Sequence, residues 1–531
     1  MNEGRVQGEG EGRDHARARR FGILLMLFFL AFCHSDIMES QNTLSRFVAV
    51  EGLVQRGTFH IDQSPHGPRW VGLEDGRTVH ILNALDELKR YMAGERIALR
   101  AVYDIGKPAE GSNLVRITDG RLVHVLNDMV CNKRDEHFYS SKPPVLTLIL
   151  AGVLLPLKWL GAEFDFTRRG AEGPAFLLTW LVVGGLSAIA FCAFRRKLGE
   201  RVQGAQADAL TVLTLGGTLF LTYSVTMNHH TFTAGLVLLS FFLLGMADAG
   251  GGAPAGGADA AERPRVSDGC ALAAGFLMGL ASVVDIGPGV AFAMGFGLYI
   301  LLYLRSWRTL VLFGLGSIPP LALHCIVHYS IWGSVLPVQM MKRAGTRDYA
   351  GSYWQNMLPP DTWQIPRSYY WLLTLASGRG LFVLSPILLV GMAALVEDVR
   401  RSLRAGRTGE AWRGIFKARG PAAAPGYVAL SVLFGVTFLI LYTSFAAPTN
   451  FNGSCFGMRY YIGFMPLLAF YAARGYVRWC GSAKFRRVFY VLGIVSVFFA
   501  LVGMQEPWML MENNANPAVR VLMALLRGFN A

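Results

Sequence analysis

The sequence predicts an all-α polytopic membrane protein of about eleven transmembrane helices plus interfacial helices, with a small β-rich extracytoplasmic insertion in its first outer loop. Three observations predict it. The 531 residues are 53% hydrophobic and only 16% charged, where ordinary soluble domains carry roughly 25% charge. Apolar runs recur to the C-terminus, and mean hydropathy is +0.36. The basic residues behind the net charge of +14 come in short clusters between those runs, as cytoplasmic loops require. They form no basic face and accompany no base-reading motif, which argues against a nucleic-acid partner.

Residues 1–20 are polar, Gly-rich and basic, ending Arg17-Ala18-Arg19-Arg20, and read as a disordered cytoplasmic tail. Residues 21–64 hold the first transmembrane helix and an acidic outer loop with its own helix. The apolar run Phe21–Cys33 covers about 20 Å of a roughly 30 Å core, so flanking arginines must snorkel if it spans. A cleaved signal peptide is the competing reading, but no A-x-A-like cleavage site follows. Leu44, Phe47, Val48, Val50, Leu53 and Val54 then recur at helical spacing and predict an amphipathic helix over Asn42–Gly57. Residues 65–128 form the β-rich insertion, with strand-like runs Arg77–Leu82, Arg96–Tyr103, Asn113–Thr118 and Arg121–Leu126 punctuated by Asp75-Gly76 and Asp119-Gly120.

Residues 129–531 make the polytopic domain. Its first apolar run, Val145–Leu160, covers about 24 Å. If this run and Gly173–Phe194 both crossed, the cluster Arg195-Arg196-Lys197 would face outward against the positive-inside rule. The run at 145–160 is therefore expected to lie on or re-enter the membrane. The remaining predicted spans are Ala209–Met227, Thr231–Met246, Cys270–Val284, Pro288–Leu304, Thr309–Ile331, Leu381–Val396, Val428–Phe445, Tyr460–Trp479 and Val488–Met504. Between them, residues 248–268 read as a flexible Gly/Ala-rich cytoplasmic linker. Ala518–Phe529 is amphipathic and expected at the outer interface.

This arrangement collects the chemically unusual residues on the outer side. Lys142 lies in Phe138-Tyr139-Ser140-Ser141-Lys142-Pro143-Pro144. The two prolines exclude a regular helix there, so its ammonium is expected at a non-helical membrane mouth, suited to gripping a phosphate. Tyr139 and Ser141 flank it as substrate-binding candidates. Asp36, Glu39 and Asp62 follow the first span, where a carboxylate can act as a general base. Arg459, after Gly453 and Gly457, opens a span at an outer end where cations are disfavoured; Arg379 in Ser377-Gly378-Arg379-Gly380 has the same character. Asn228, His229 and His230 end a span, and Asp285 precedes Gly287-Pro288. His324 and His328 stand at i, i+4, but no carboxylate completes a metal motif in sequence. Seven cysteines form no disulfide framework and no CxxC pair, although Cys33, Cys131 and Cys455 share the outer compartment. Walker, GxGxxG, GxSxG and HExxH motifs are absent.

Taken together, these residues resemble the membrane glycosyltransferases of the C superfamily, above all the bacterial branch with aminoarabinose and protein-mannosyl transferases. Ser140-Ser141-Lys142-Pro143-Pro144 is the most specific piece. Ser45-Arg46-Phe47 through Arg56-Gly57-Thr58-Phe59, the Asn228-His229-His230 turn and Gly457-Met458-Arg459-Tyr460 add to it. The resemblance implies a polyprenyl-phosphate-linked sugar donor and a lipid, glycan or protein acceptor. It also implies a bacterial-type inner or plasma membrane with the active face extracytoplasmic. An acid of the Asp36 type would deprotonate the acceptor, and Lys142 with Arg459 would stabilise the departing lipid phosphate. Ser141 stands where metal-holding relatives have Glu, so no metal ligands are assigned, and a divalent metal stays open as a cofactor. A transporter or flippase of lipid-linked sugars, or a catalytically inactive membrane scaffold, are the rival expectations.

Overall fold

The computed structural model describes residues 3–35, 41–61, 70–72, 78–80, 114–116, 122–124, 129–132, 135, 137–162, 164, 172–248, 266–338, 372, 374–405, 424–446, 455–508 and 518–519. It is mostly helical. In chain order, α1 (Glu3–Phe32) leads to α2 (Gln41–Glu51). Then come six short strands: β1 (Trp70–Gly72), β2 (Thr78–His80), β3 (Leu114–Arg116), β4 (Leu122–His124), β5 (Met129–Asn132) and β6 (His137–Ser140). They pair as three separate antiparallel hairpins, β1 with β2, β3 with β4 and β5 with β6. The expected strand Arg96–Tyr103 lies outside the described residues.

The helical domain follows. It comprises α3 (Pro144–Trp159), α4 (Gly173–Gly199), α5 (Gly204–Thr214), α6 (Leu219–Tyr223), α7 (His229–Leu243), α8 (Asp268–Val284), α9 (Ile286–Leu304) and α10 (Trp307–Trp332). It continues with α11 (Leu381–Leu384), α12 (Leu388–Ala405), α13 (Ala424–Ala446), α14 (Met465–Trp479) and α15 (Ala483–Gln505). Among the described residues, five helices are long and apolar enough to cross a membrane: α4, α9, α10, α15 and the stretch Ala424–Leu441 of α13. This is a membrane protein.

Several expected spans have a different form. Ala209–Met227 is broken: α5 stops at Thr214, and α6 restarts only after Gly216-Gly217, with extended Thr218 capping Phe220 N–H at 3.2 Å. Two adjacent glycines carry no side chain to pack and favour such a break. Leu381–Val396 is bent by 107° between the helical stretch ending at Leu384 and that starting at Leu388. Pro386 is the cause, since it drives Ser385 out of helical geometry to φ −136, ψ 64. Tyr460–Trp479 opens with a 3-10 turn, Arg459–Phe464, before α14. The expected disordered tail is also different: residues from Glu3 onward continue into the apolar run as one helix.

Backbones approach closely where small residues meet. A Cβ on Gly275 of α8 would lie 1.9 Å from the Phe313 carbonyl oxygen of α10, and one on Gly316 would lie 2.1 Å from that of Leu272. Only glycine allows this crossing, a packing device typical of membrane helices. The helices run between two polar ends. At one end lie the α4 C-terminus, the residues after α7 and the start of α8. There Arg17 and Arg195 pair with Asp208 at 2.7 and 2.5 Å, Lys197 with Asp248 at 3.1 Å, and Arg478 and Arg474 with Asp398 at 2.6 and 3.3 Å. Arg308 pairs with Asp268. At the other end lie the start of α3, the first turn of α7 and the α8–α9 turn.

Candidate functional site

The second end is assembled on α2. This helix closes with a π-helical turn, Gly52–Arg56, capped by Gly57 at φ 68. The chain then folds back: Thr58 N–H donates to Gly52 O at 3.2 Å and Ile61 N–H to Phe138 O at 2.9 Å. The reversal is so tight that a Cβ on Gly52 would lie 2.7 Å from the Thr58 oxygen. Thr43 Oγ1 donates to Met227 O at 3.3 Å, and Ser45 Oγ is bonded to Ser140 Oγ at 2.8 Å. Thus α2 touches both the strand that leads to Lys142 and the turn that leads to His229.

The β5–β6 hairpin is fixed by Asp135 in its turn, which accepts from His137 N–H at 3.1 Å and Tyr139 Oη–H at 2.6 Å. Tyr139 is buried and packs edge-on against Trp332 at 5.2 Å between ring centres. Its hydroxyl therefore supports the hairpin that delivers Lys142. Beyond the hairpin Ser141 is buried and Lys142 half-buried, with the Lys142 N–H donating to Ser140 Oγ at 3.3 Å. Pro143 sits at φ −53, ψ 132, and α3 starts at Pro144. Lys142 thus lies in the non-helical stretch expected from the two prolines. Helix α3 buries Val145, Leu146, Leu150 and Leu154 while exposing Trp159 and Leu160, and Lys158 Nζ donates to Val54 O at 2.5 Å.

Facing Lys142 is the first turn of α7. Asn228 caps it, its Oδ1 accepting from His230 N–H at 2.7 Å. The cap sets both imidazoles ahead of the apolar run that starts at Thr231. The His229 and His230 rings lie 3.9 Å apart, and His230 Nδ1 is bonded to Asp285 Oδ2 at 2.5 Å. Asp285 lies in the non-helical turn between α8 and α9, at φ −143, ψ 91. It marks a tight turn and also presents its carboxylate to His230. Burial, His230 and the charges of Arg46, Lys142 and Arg459 hold the His229 imidazole well below its ordinary range. Burial lowers His230 as well, with Asp285 opposing and Arg459 and Lys142 adding to the shift. Three cations from distant parts of the chain therefore act on one histidine pair.

Arg459 is buried, with its guanidinium 5.3 Å from the Tyr460 ring centre and 5.2 Å from that of Trp508. Tyr460 also meets His230 edge-on at 5.3 Å. Arg379 is buried behind it and donates from Nη2 to Cys455 O at 2.9 Å. That contact holds the Cys455–Met458 turn from which Arg459 projects. The pair His324 and His328 lines a cleft with Lys142, Ser141, Tyr139 and Trp332. His328 Nδ1–H donates to Ser334 O at 2.8 Å, and the two rings stack at 5.3 Å.

Asp36, Glu39 and Asp62 lie outside the described residues, although their neighbours are fixed. His34 N–H donates to Val225 O at 2.7 Å, and Ile61 is bonded to Phe138. Sequence reasoning missed two things. Arg46 is 2% exposed in a stretch of α2 that is buried on every side from Thr43 to Gly52, and a cation within that helix was the available signal. The Asp285–His230 bond joins the first turn of α7 to the α8–α9 turn, 55 residues further on, and left no mark in the sequence. The described groups nearest to a metal-ligating set are His229, His230 and Asp285, whose donor atoms lie within 4.8 Å of one another. Comparison with known protein families finds no family model that matches the chain, and comparison with curated proteins finds no match.

Proposed function

We propose that the chain is a membrane glycosyltransferase of the C superfamily type, moving a sugar from a polyprenyl-phosphate donor to a lipid, glycan or protein acceptor. The single observation that carries this reading is the convergence of Lys142 and Arg459 on His229 and His230, with Arg46 acting on His229 as well. A cationic pocket at the mouth of an apolar bundle suits a ligand with a phosphate head and an isoprenoid tail. In this reading the acceptor oxygen or nitrogen attacks the anomeric carbon, and the bond from that carbon to the phosphate oxygen breaks with inversion. Lys142 and Arg459 stabilise the charge that develops on the departing lipid phosphate. One of Asp36, Glu39 or Asp62 takes the acceptor proton.

The proposal includes the finer topology. About eleven spans count the short and broken apolar helices as crossings, α3 lies at the interface, and residues 65–128 form a β-rich outer insertion. The ion-paired basic end is cytoplasmic by the positive-inside rule, so the site faces outward from a bacterial-type inner membrane.

The test is in vitro transfer with the purified protein, a panel of polyprenyl-phosphate sugars and membrane acceptors. Turnover that is lost in Lys142→Ala and in Asp36→Asn supports the reading; no turnover with any pair, or turnover indifferent to both substitutions, sinks it.

One observation favours a second reading, a transporter of lipid-linked sugars. The breaks at Gly216–Thr218 and Ser385–Ile387 face each other: a Cβ on Gly217 would lie 2.8 Å from Ser496 and 3.5 Å from Ile387. Opposed discontinuous helices are a transporter device. Ser385 and Thr218 are fully buried there, and Ile387 N–H is satisfied by Ser496 Oγ at 2.9 Å. Movement of a labelled lipid-linked sugar across proteoliposomes without any transfer would establish this reading over the first.

A further inference from the structure

We propose that the groove between α1 and α4 binds an anionic phospholipid, with the headgroup on Arg19 and Arg196 and an acyl chain laid along the apolar walls. The groove holds about 850 Å³, and among the described residues its lining comes from these two helices. On α1 the lining positions run from Ala18 to Leu27 at helical spacing, and on α4 from Gly185 to Arg196, so each helix offers one continuous face. Gly22 lets the helices meet, since a Cβ on it would lie 3.3 Å from Cys192 Sγ. Ile23, Leu27 and Ile189 are 51%, 53% and 57% exposed, so the groove is open along its side. On a membrane-spanning bundle that side faces hydrocarbon.

Length and charge select the occupant. At about 1.5 Å per residue the lining stretches Arg19–Leu27 and Gly185–Arg196 run about 12 and 17 Å, roughly one leaflet of a 30 Å hydrocarbon core. Both arginines sit at the ion-paired end of the groove, where a headgroup would lie. Their neighbours are already committed: Arg17 and Arg195 both pair with Asp208, at 2.7 and 2.5 Å, and Lys197 pairs with Asp248 at 3.1 Å. Asp208 on α5 thereby clamps α1 to α4. Arg19 and Arg196 are exposed and have no carboxylate partner among the described residues. Two guanidinium groups above an apolar groove suit a phosphodiester, and basic pockets between membrane helices on the cytoplasmic side are a recurrent form of lipid site. With this end cytoplasmic, as proposed above, the lipid comes from the inner leaflet. None of these residues belongs to the Lys142 end, so the groove and the transferase reading stand or fall separately.

The experiment uses delipidated full-length protein in detergent, phosphatidylglycerol and phosphatidylcholine of the same chains as probes, and native mass spectrometry as the readout. Expected is one tightly held phosphatidylglycerol, with phosphatidylcholine held more weakly. A basic residue near an anionic headgroup is worth roughly fivefold in affinity, so the double variant Arg19→Gln, Arg196→Gln should weaken phosphatidylglycerol about 25-fold and leave phosphatidylcholine unchanged. Arg20→Gln removes an exposed charge outside the groove and should bind like wild type. Cys192, half-buried in the groove wall, reports the place: phosphatidylglycerol should slow its reaction with a membrane-permeant maleimide, read on the Cys192 peptide. Equal affinity for the two lipids, binding indifferent to the double variant, or binding that leaves Cys192 labelling unchanged overturns the site. Competition by chain-free glycerol phosphate at equal concentration marks a free-phosphate site and overturns the lipid assignment.

Discussion

The best-buried charges at the two polar ends of the bundle have different partners. At the ion-paired end, Asp398 is 1% exposed and takes both Arg474 and Arg478, and Asp208 takes both Arg17 and Arg195. Those four arginines are answered by carboxylates, which is how a buried charge avoids an uncompensated desolvation cost. At the other end, Asp285 is bonded to a histidine, Arg379 to a backbone carbonyl, and Arg459 lies against two aromatic rings. In those contacts a carbonyl oxygen and aromatic rings, not a carboxylate, meet the guanidinium groups. The difference separates what charge does for folding from what it can do for a ligand.

That contrast can be broken by substitution. The largest effect on function is expected at Lys142: its replacement by Ala should lower turnover about 10²–10³-fold, the usual consequence of removing a group that stabilises developing charge. Thermal stability should change little, as a melting scan in detergent would show. Asp398→Ala should reverse the pattern. Leaving buried Arg474 and half-buried Arg478 without their carboxylate costs about 3–5 kcal/mol of stability, read as a lowered unfolding temperature, while the KM for the donor stays near wild type. Gly52→Ala sharpens the comparison from the backbone side. Its Cβ would press on the Thr58 and His60 carbonyls at 2.7 and 2.8 Å, so the fold-back that brings α2 to β6 should loosen. Overpacking of this kind costs typically about 1–3 kcal/mol, and turnover should fall together with protease resistance. The smallest effect is expected at Asn228→Ala, where loss of the cap removes about 1 kcal/mol and weakens donor affinity several-fold through His229 and His230.

Much of this organisation was legible in the sequence because its causes are local. Pro143 and Pro144 dictate a helix start after Lys142 wherever the rest of the chain goes. The helical periodicity of Leu44, Phe47 and Val48 places α2 to within a residue of Asn42. The helix breaks were written in the sequence too, at Gly216-Gly217 and Ser385-Pro386, but counting apolar residues passes over them because broken and continuous helices have the same hydropathy. The site was legible only by type. Lys142, Arg459, His229, His230 and Asp285 each stood out as polar groups in apolar surroundings. Their mutual geometry depends on how four helical hairpins pack, and no sequence spacing encodes it. Arg46 was hidden because an amphipathic reading puts a cation on the solvent face, whereas α2 is buried on every side from Thr43 to Gly52. The acids Asp36, Glu39 and Asp62 lie outside the described residues, and transfer by their Asn and Gln variants will rank them.

The central claim is that the field at the Lys142 end is built for a lipid phosphate. Its most direct test is the equilibrium affinity of a short-chain polyprenyl-phosphate sugar, measured on wild type, Lys142→Ala and Asp398→Asn in the same detergent over a range of salt. A loss of about 10–100-fold is expected in Lys142→Ala, in line with a hydrogen bond to a charged group worth about 1.5–3 kcal/mol. Asp398→Asn should bind like wild type, and only Lys142→Ala should flatten the salt dependence. Equal affinities in all three proteins would contradict the claim.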